Sequence, residues 1–376
     1  MAKSSFVPNS ARIKAIGVGG GGCNAITRMV REEIRGVEFI AVNTDAQALA
    51  ITEAPTRLQL GEKLTKGLGV GGDHTVGQKA AEESRDELKE LISGADMVFV
   101  TCGMGGGTGT GAAPIVAEVA KESGALTIAV VTRPFTFEGV HRCRVADEGI
   151  ARLLGKADTL IIIPNDRLLA LCDQKTSVDN AFKLADDVLK HGVQSISEVI
   201  TVPGLINLDF ADVKAVMKDA GPAWMSIGTG TGKNRAVDAA REALASPLLD
   251  VSINGSRGVL FNVTGGSSLT LFEVNEAAEV IRQAVDPEAN IIFGVAYDSS
   301  MNDELRITLI ATGFASTIGL AEASQEDEQT QLLKSLKGEE ELDVPSFLRR
   351  PLFSHRRQAI TPSTKVVKTP SQTPVR

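Results

Sequence analysis

Twice in its first third the chain runs an aliphatic, strand-like segment straight into glycines and then into a helical segment. The first run ends in Gly17-Val18-Gly19-Gly20-Gly21-Gly22-Cys23-Asn24, with a helix expected from near Ala25. The second ends in Gly103-Met104-Gly105-Gly106-Gly107-Thr108-Gly109-Thr110-Gly111, with a helix expected from near Ala112. Loops of this kind leave backbone amides bare, and the positive end of the following helix adds to them, so each can seat an anion. The first loop alone is ambiguous. Gly17, Gly19 and Gly22 satisfy the dinucleotide GxGxxG spacing, and Asp45 follows the next strand at about the place of a ribose-binding acid. The second loop tips the balance, because two phosphate cradles facing one ligand suit a triphosphate better than a single pyrophosphate. A nicotinamide-dependent oxidoreductase remains the competing chemistry. It would need catalytic side chains in a second domain, yet His74, His141, His191 and His355 form no constellation with lysine.

The segments RIKAIGV, VEFIAVN, DMVFVTC, ALTIAVVT and DTLIIIP alternate with helical stretches. Their continuous hydrophobicity means strands covered on both faces, so the fold class expected is α/β, a doubly wound and mostly parallel sheet. In SVDNAFKLADDVLKHGVQSISEVI, Val178, Phe182, Ala185, Leu189, Ile196 and Val199 recur at helical spacing, which predicts one long central helix. Beyond it, AWMSIG, RGVLFNVTG, IIFGVAYD and LRITLIATGF predict a smaller α+β second domain. The expected organisation is a flexible N-terminus at 1–11, a ligand-binding domain at 12–176, the central helix at 177–201 and a second domain at 202–316. An acidic linker at 317–341, a short apolar and basic island at 342–350 and a basic, disordered tail at 351–376 follow. Gly228-Thr229-Gly230-Thr231-Gly232-Lys233-Asn234 imitates a Walker loop, but Ile227 and Asn234 stand where that motif needs glycine and a hydroxyl, so a turn is expected.

GGGTGTG at Gly105–Gly111, together with GVGGGGCNAI, AVNTDAQAL, RPFTFEG, NLDFADVK and LDVPSFLR in the same order, resembles the FtsZ family of tubulin-like cell-division GTPases from about Ile13 to Arg349. That resemblance implies GTP and GDP as ligands, with Gly20, Gly21, Gly22, Gly105, Gly106, Gly107, Thr108 and Gly109 around the phosphates. Mg²⁺ would be held mainly by the phosphates, with no dedicated protein ligand. Gly71 and Gly72 fall in a loop like the family's γ-phosphate loop, where Val70, Asp73 and His74 depart from the residues expected. Asp186 and Asn24 are implied to read the guanine edge, since one carboxylate can accept both N1–H and N2–H. Phe182, one turn before Asp186, would stack on the base, with Cys23, Thr132, Glu138, Arg142 and Asn165 completing the pocket. Read without the resemblance, Phe182 is core, and Glu138 with Arg142 is a surface ion pair.

The glycine loops supply no group to polarise a water. The resemblance assigns that role to Asn207, Asp209 and Asp212, acting on the nucleotide of an adjacent subunit, so the protein is expected to be its own partner in a head-to-tail filament. Spacing alone makes Asp209 and Asp212 a helix-capping pair. Leu342, Asp343, Val344, Pro345, Phe347, Leu348 and Arg349 resemble the family's docking peptide for membrane tethers and division regulators, and the basic tail suits a weak auxiliary contact with anionic lipid. A tubulin-like filament for plasmid movement or cell shape would share the GTPase core but is expected to lack that peptide.

A net charge of −8 disfavours nucleic acid as the main partner. Cys23, Cys102, Cys143 and Cys172 have neither disulfide-framework nor zinc spacing. No apolar run reaches the length of a membrane span, and the expected location is the cytoplasm, at the mid-cell division site on the inner face of the membrane.

Overall fold

A computed structural model describes residues 11–169, 172, 176–201, 209–246, 248, 253, 255–298 and 301–314. Asn207, the acidic linker, the peptide from Leu342 to Arg349 and the basic tail lie outside the described residues.

Ten strands form one sheet in the order β3-β2-β1-β4-β5-β6-β7-β10-β8-β9. The first six are β1 (Ile13–Val18), β2 (Val37–Asn43), β3 (Thr56–Gln59), β4 (Met97–Gly103), β5 (Leu126–Arg133) and β6 (Thr159–Pro164), all parallel. Side chains alternate across a strand, and here both faces are apolar. Ile13, Ala15, Met97, Phe99, Ile128 and Val130 face a core shared with α1 (Gly19–Arg31) and α9 (Val178–Thr201). Ile16, Val18, Val98, Val100, Ala129 and Val131 face the opposite core. There they meet α4 (His74–Glu83), α5 (Arg85–Ile92), α6 (Thr108–Glu122) and α7 (Val140–Leu153). Burial on both faces explains why these segments read as unbroken aliphatic runs. In this strand order the chain leaves β1 toward β2 but enters on the other side at β4, which makes the gap between the ends of β1 and β4 a topological switch point.

The remaining strands are β7 (Gly221–Thr231), β8 (Gly258–Gly265), β9 (Asn290–Tyr297) and β10 (Glu304–Thr312). β7 joins β6 through the register Thr159↔Gly221 to Ile161↔Ala223. β10 is antiparallel to β7 and β8, and β9 is parallel to β8. The expected turn at Gly228–Asn234 is instead largely strand: Gly228 and Gly230 lie within β7, and α11 (Arg235–Leu244) packs so closely that a Cβ at either glycine would strike the Ala239 or Arg235 carbonyl oxygen. The pattern imitates a phosphate loop because helix–strand packing asks for the same residue.

α9 has 24 residues, about 36 Å at the usual rise per residue. Its buried stripe of Ala181, Ala185, Val188, Leu189, Val193, Ile196 and Val199 packs against α1, β5, β8 and β9. Its far end is pinned beside the amino end of β2, where Thr201 Oγ1 donates to the Arg35 carbonyl at 3.3 Å.

Candidate functional site

A cleft of about 720 Å³ opens at the carboxyl ends of the parallel strands. Its floor comes from both glycine loops, and in each the helix begins earlier than expected. α1 starts at Gly19 and α6 at Thr108, so Gly19 to Gly22, Gly109 and Gly111 form first helical turns, while Gly105 to Gly107 precede α6. A Cβ on Gly19 would sit 2.8 Å from the Gly109 amide nitrogen, which brings the two turns into contact. Each helix N-terminus carries roughly half a positive charge in unpaired N–H groups, so their convergence over the switch point favours a multiply charged anion. Thr44 and Thr108 hydroxyls hydrogen-bond at 2.6 Å and tie the loop after β2 to the second glycine turn.

A third glycine segment arches over the cleft. Gly67, Gly69, Gly71 and Gly72 all adopt positive φ, a conformation open to glycine at little cost. Gly69, Val70, Gly71 and Gly72 line the cavity. Asp73, next in sequence, caps α4. Its carboxylate accepts from the Thr75 and Val76 amides at 2.8 and 3.3 Å and from the Thr75 hydroxyl at 2.6 Å, bonds that hold its pKa below the usual carboxylate range.

At the other end the cleft is aromatic and acidic. Phe182 is 39% exposed, and its ring meets buried Phe135 edge-on at 5.5 Å, leaving a face toward the cavity. Asp186, one turn later, lines the same wall, and Arg28 Nε stands 3.3 Å from its Oδ2. Burial pushes its carboxyl up to about 6, against the pull of Arg28. A short 3₁₀ turn (Thr136–Glu138) sets Glu138 at the rim, where it accepts from the Phe135 amide at 2.9 Å and pairs with Arg142 at 2.8 Å. Only 9% of the Glu138 side chain is exposed, so this is not a floating surface pair. Asn165, just after β6, is buried, lines the cleft and leaves Oδ1 without a partner among the described residues. A buried amide oxygen of this kind costs free energy until a ligand donor meets it.

Of the residues expected at the site, Gly20, Gly21, Gly71, Gly72, Gly106, Gly107, Thr108, Gly109, Thr132, Glu138, Arg142, Asn165, Phe182 and Asp186 line one cavity. Gly22 and Cys23 are buried behind its wall: a Cβ on Gly22 would collide with the Thr101 carbonyl, and burial pushes the Cys23 thiol up to about 11. Gly105 packs against the Arg142 backbone, and Asn24 is exposed on α1 outside the lining. Sequence reasoning passed over Asn43, which is buried at the end of β2 and lines the cleft beside Asp45. A polar residue closing an aliphatic strand run was the available signal. Asp45 caps α2 (Ala46–Ala50) through the Gln47 and Ala48 amides, at 2.9 and 3.1 Å.

Asp209 and Asp212 do not line this cleft. They open α10 (Phe210–Met217), where Asp212 Oδ2 accepts from the Asp209 amide at 3.3 Å, one half of a capping box. The Met217 carbonyl, at the end of α10, accepts from Thr159, the first residue of β6, and the Gly221 amide donates to the Asp158 carbonyl at 2.9 Å. The carboxyl end of α10 is therefore anchored at the amino edge of the sheet, the edge opposite the cleft.

Among the described residues no cluster of three metal-ligating side chains exists, and Arg142 is the cation in the lining. The donor set fits a ligand with an aromatic heterocycle at one end and several negative charges at the other, met mainly by amides.

Comparison with known proteins agrees with this geometry. The Tubulin/FtsZ family, GTPase domain, matches residues 12–173, and the FtsZ family, C-terminal domain, matches residues 221–315. An empty FtsZ dimer from M. jannaschii superposes with a TM-score of 0.79 at 48% identity, covering 81% of this chain and 89% of that one. CetZ1 from Haloferax volcanii, a GDP-bound monomer, gives 0.72 at 20% identity over 85% and 99% of the two chains. CetZ2 from the same organism, a GTPgS-bound protofilament, gives 0.69 at 18% identity over 86% and 99%. At those identities the last two speak for the fold alone.

Proposed function

We propose, from the premise that this chain belongs to the Tubulin/FtsZ family, that it binds and hydrolyses GTP and assembles head to tail into filaments that form the cytokinetic ring. Each subunit completes the hydrolytic site of its neighbour. The observation that carries the reading is that Asp209 and Asp212 stand outside the cleft at the carboxyl edge of the sheet, on a helix whose carboxyl end is anchored at the amino edge. Stacking one edge on the other is a heterologous contact, which extends into an open filament rather than closing into a dimer.

Within the cleft, the amides of the two helix starts would hold the phosphates, Phe182 would stack on the base and Asp186 would accept its two edge N–H groups. Asn165 and Glu138 would meet ribose hydroxyls. Mg²⁺ would arrive on the triphosphate and neutralise charge that Arg142 alone does not. The carboxylates of α10 would orient and polarise the attacking water, the one task the glycine turns cannot perform. The C-terminal peptide would carry the filament to membrane tethers.

Base recognition is tested by Asp186→Asn. An amide accepts only one of the two guanine donors, so GDP affinity falls by about 10- to 100-fold, the worth of a charged hydrogen bond. Titration calorimetry that finds the same GDP affinity in both proteins would remove Asp186 from the guanine edge.

A further inference from the structure

We propose that Arg28 is a positioning residue for guanine recognition, holding the Asp186 carboxylate charged and aimed into the cleft while Asp187 holds Arg28 in place. The inference rests on the reading of Asp186 as base acceptor and adds what keeps it competent.

Arg28 lies on α1, outside the cleft lining. Its Nε stands 3.3 Å from Asp186 Oδ2, and its Nη1 donates to Asp187 Oδ1 at 3.0 Å. Successive residues of a helix point about 100° apart, so Asp186 can face the ligand while Asp187 does not. A planar guanidinium fork can bridge two carboxylates held at such an angle; a lysine cannot do so with fixed geometry. Below this pair, Lys190 is buried and binds both Glu32 oxygens, at 2.8 and 2.7 Å, with Asp187 Oδ1 3.9 Å away. Asp187 thus has two cations, and Arg28 is anchored from behind without drawing it off Asp186.

The surrounding charges are committed elsewhere. Lys183 pairs with Asp179 at 2.6 Å, Glu138 with Arg142 at 2.8 Å, and Asp45 caps α2. Among the described residues Arg28 is therefore the cation within ion-pair distance of Asp186. Against it stand burial, the larger effect, and the like charge of Asp187, both of which favour the neutral acid. A protonated carboxyl keeps one good acceptor and turns the other oxygen into a donor facing a base donor, so guanine affinity falls with pH through the carboxyl's own titration. Without Arg28 that titration moves to higher pH.

The test is GDP binding by the full chain between pH 5.5 and 8.0, for wild type, Arg28→Gln, Arg28→Lys and Asp186→Asn. Titration of the nucleotide phosphate is common to all four and cancels in affinity ratios. Arg28→Gln is expected to bind about eightfold more weakly than wild type at pH 5.5, about threefold at pH 6.5 and nearly equally at pH 8.0, as a carboxyl displaced upward by roughly one unit from about 6 requires. Arg28→Lys should lie between them, and its midpoint above wild type keeps the test decisive if Arg28→Gln does not fold. An Arg28→Gln deficit equal at all three pH values would mean a packing role only, and no deficit would mean no role; either overturns the proposal. Asp186→Asn is expected to bind weakly with no carboxyl titration. If it binds like wild type, the base-acceptor reading fails on its own account.

Discussion

Asp212→Ala is expected to bind GTP within about twofold of wild type and to lose turnover by about 10²- to 10⁴-fold, the usual worth of a positioned proton acceptor. Binding survives because Asp212 is not part of the cleft. Turnover is expected to collapse because, on the proposed reading, the carboxylate offered to the next subunit is gone. The capping bond from the Asp209 amide is also lost, at about 1 kcal/mol, too little to unfold a domain of this size. Asp212→Asn separates the two roles, since an amide oxygen can still accept at the cap but is a poor proton acceptor. Equilibrium binding and single-turnover hydrolysis check both variants. A turnover within threefold of wild type for Asp212→Ala would confine the residue to capping.

The second large effect is expected from one methyl group. In Gly22→Ala the added Cβ would collide with the Thr101 carbonyl and come within 2.8 Å of the Gly17 carbonyl carbon. Both are backbone atoms of buried strands, so nothing flexible can yield. Overpacking against a rigid neighbour costs about 3 kcal/mol, which lowers the melting temperature by roughly 6–10 °C. α1 must also move off the sheet, carrying Gly20 and Gly21 out of register with Gly109, so nucleotide affinity falls together with stability. Calorimetric melting with and without GDP reads both. An unchanged melting temperature would mean that α1 can slide at no cost and that Gly22 is not a packing residue.

The parallel strands were legible because burial on both faces leaves aliphatic runs without alternation, as in Val98, Phe99 and Val100. β3 was not: Thr56-Arg57-Leu58-Gln59 is a short edge strand with little buried surface, and it reads as loop. α1 and α6 start several residues before the positions their sequences suggest, near Ala25 and Ala112. Glycine is a poor helix former, and here close tertiary packing, such as Gly19 against Gly109 and Gly22 against Thr101, overrides that preference. The same residue type also hid two jobs behind one motif. Gly20 and Gly21 face the cavity, whereas Gly22 is glycine because a strand carbonyl passes beside it. Asn43 and Arg28 are each ordinary in their own segments and gain meaning only from residues distant in sequence.

A hydrolytic site assembled from two subunits makes GTP turnover per subunit depend on protein concentration, measured with ATP as control and light scattering in parallel. With such a shared site, turnover is negligible below a threshold concentration and GTP-specific above it, and scattering decays as GTP is consumed. A specific rate that stays constant at every concentration would place a complete site within one subunit and contradict it.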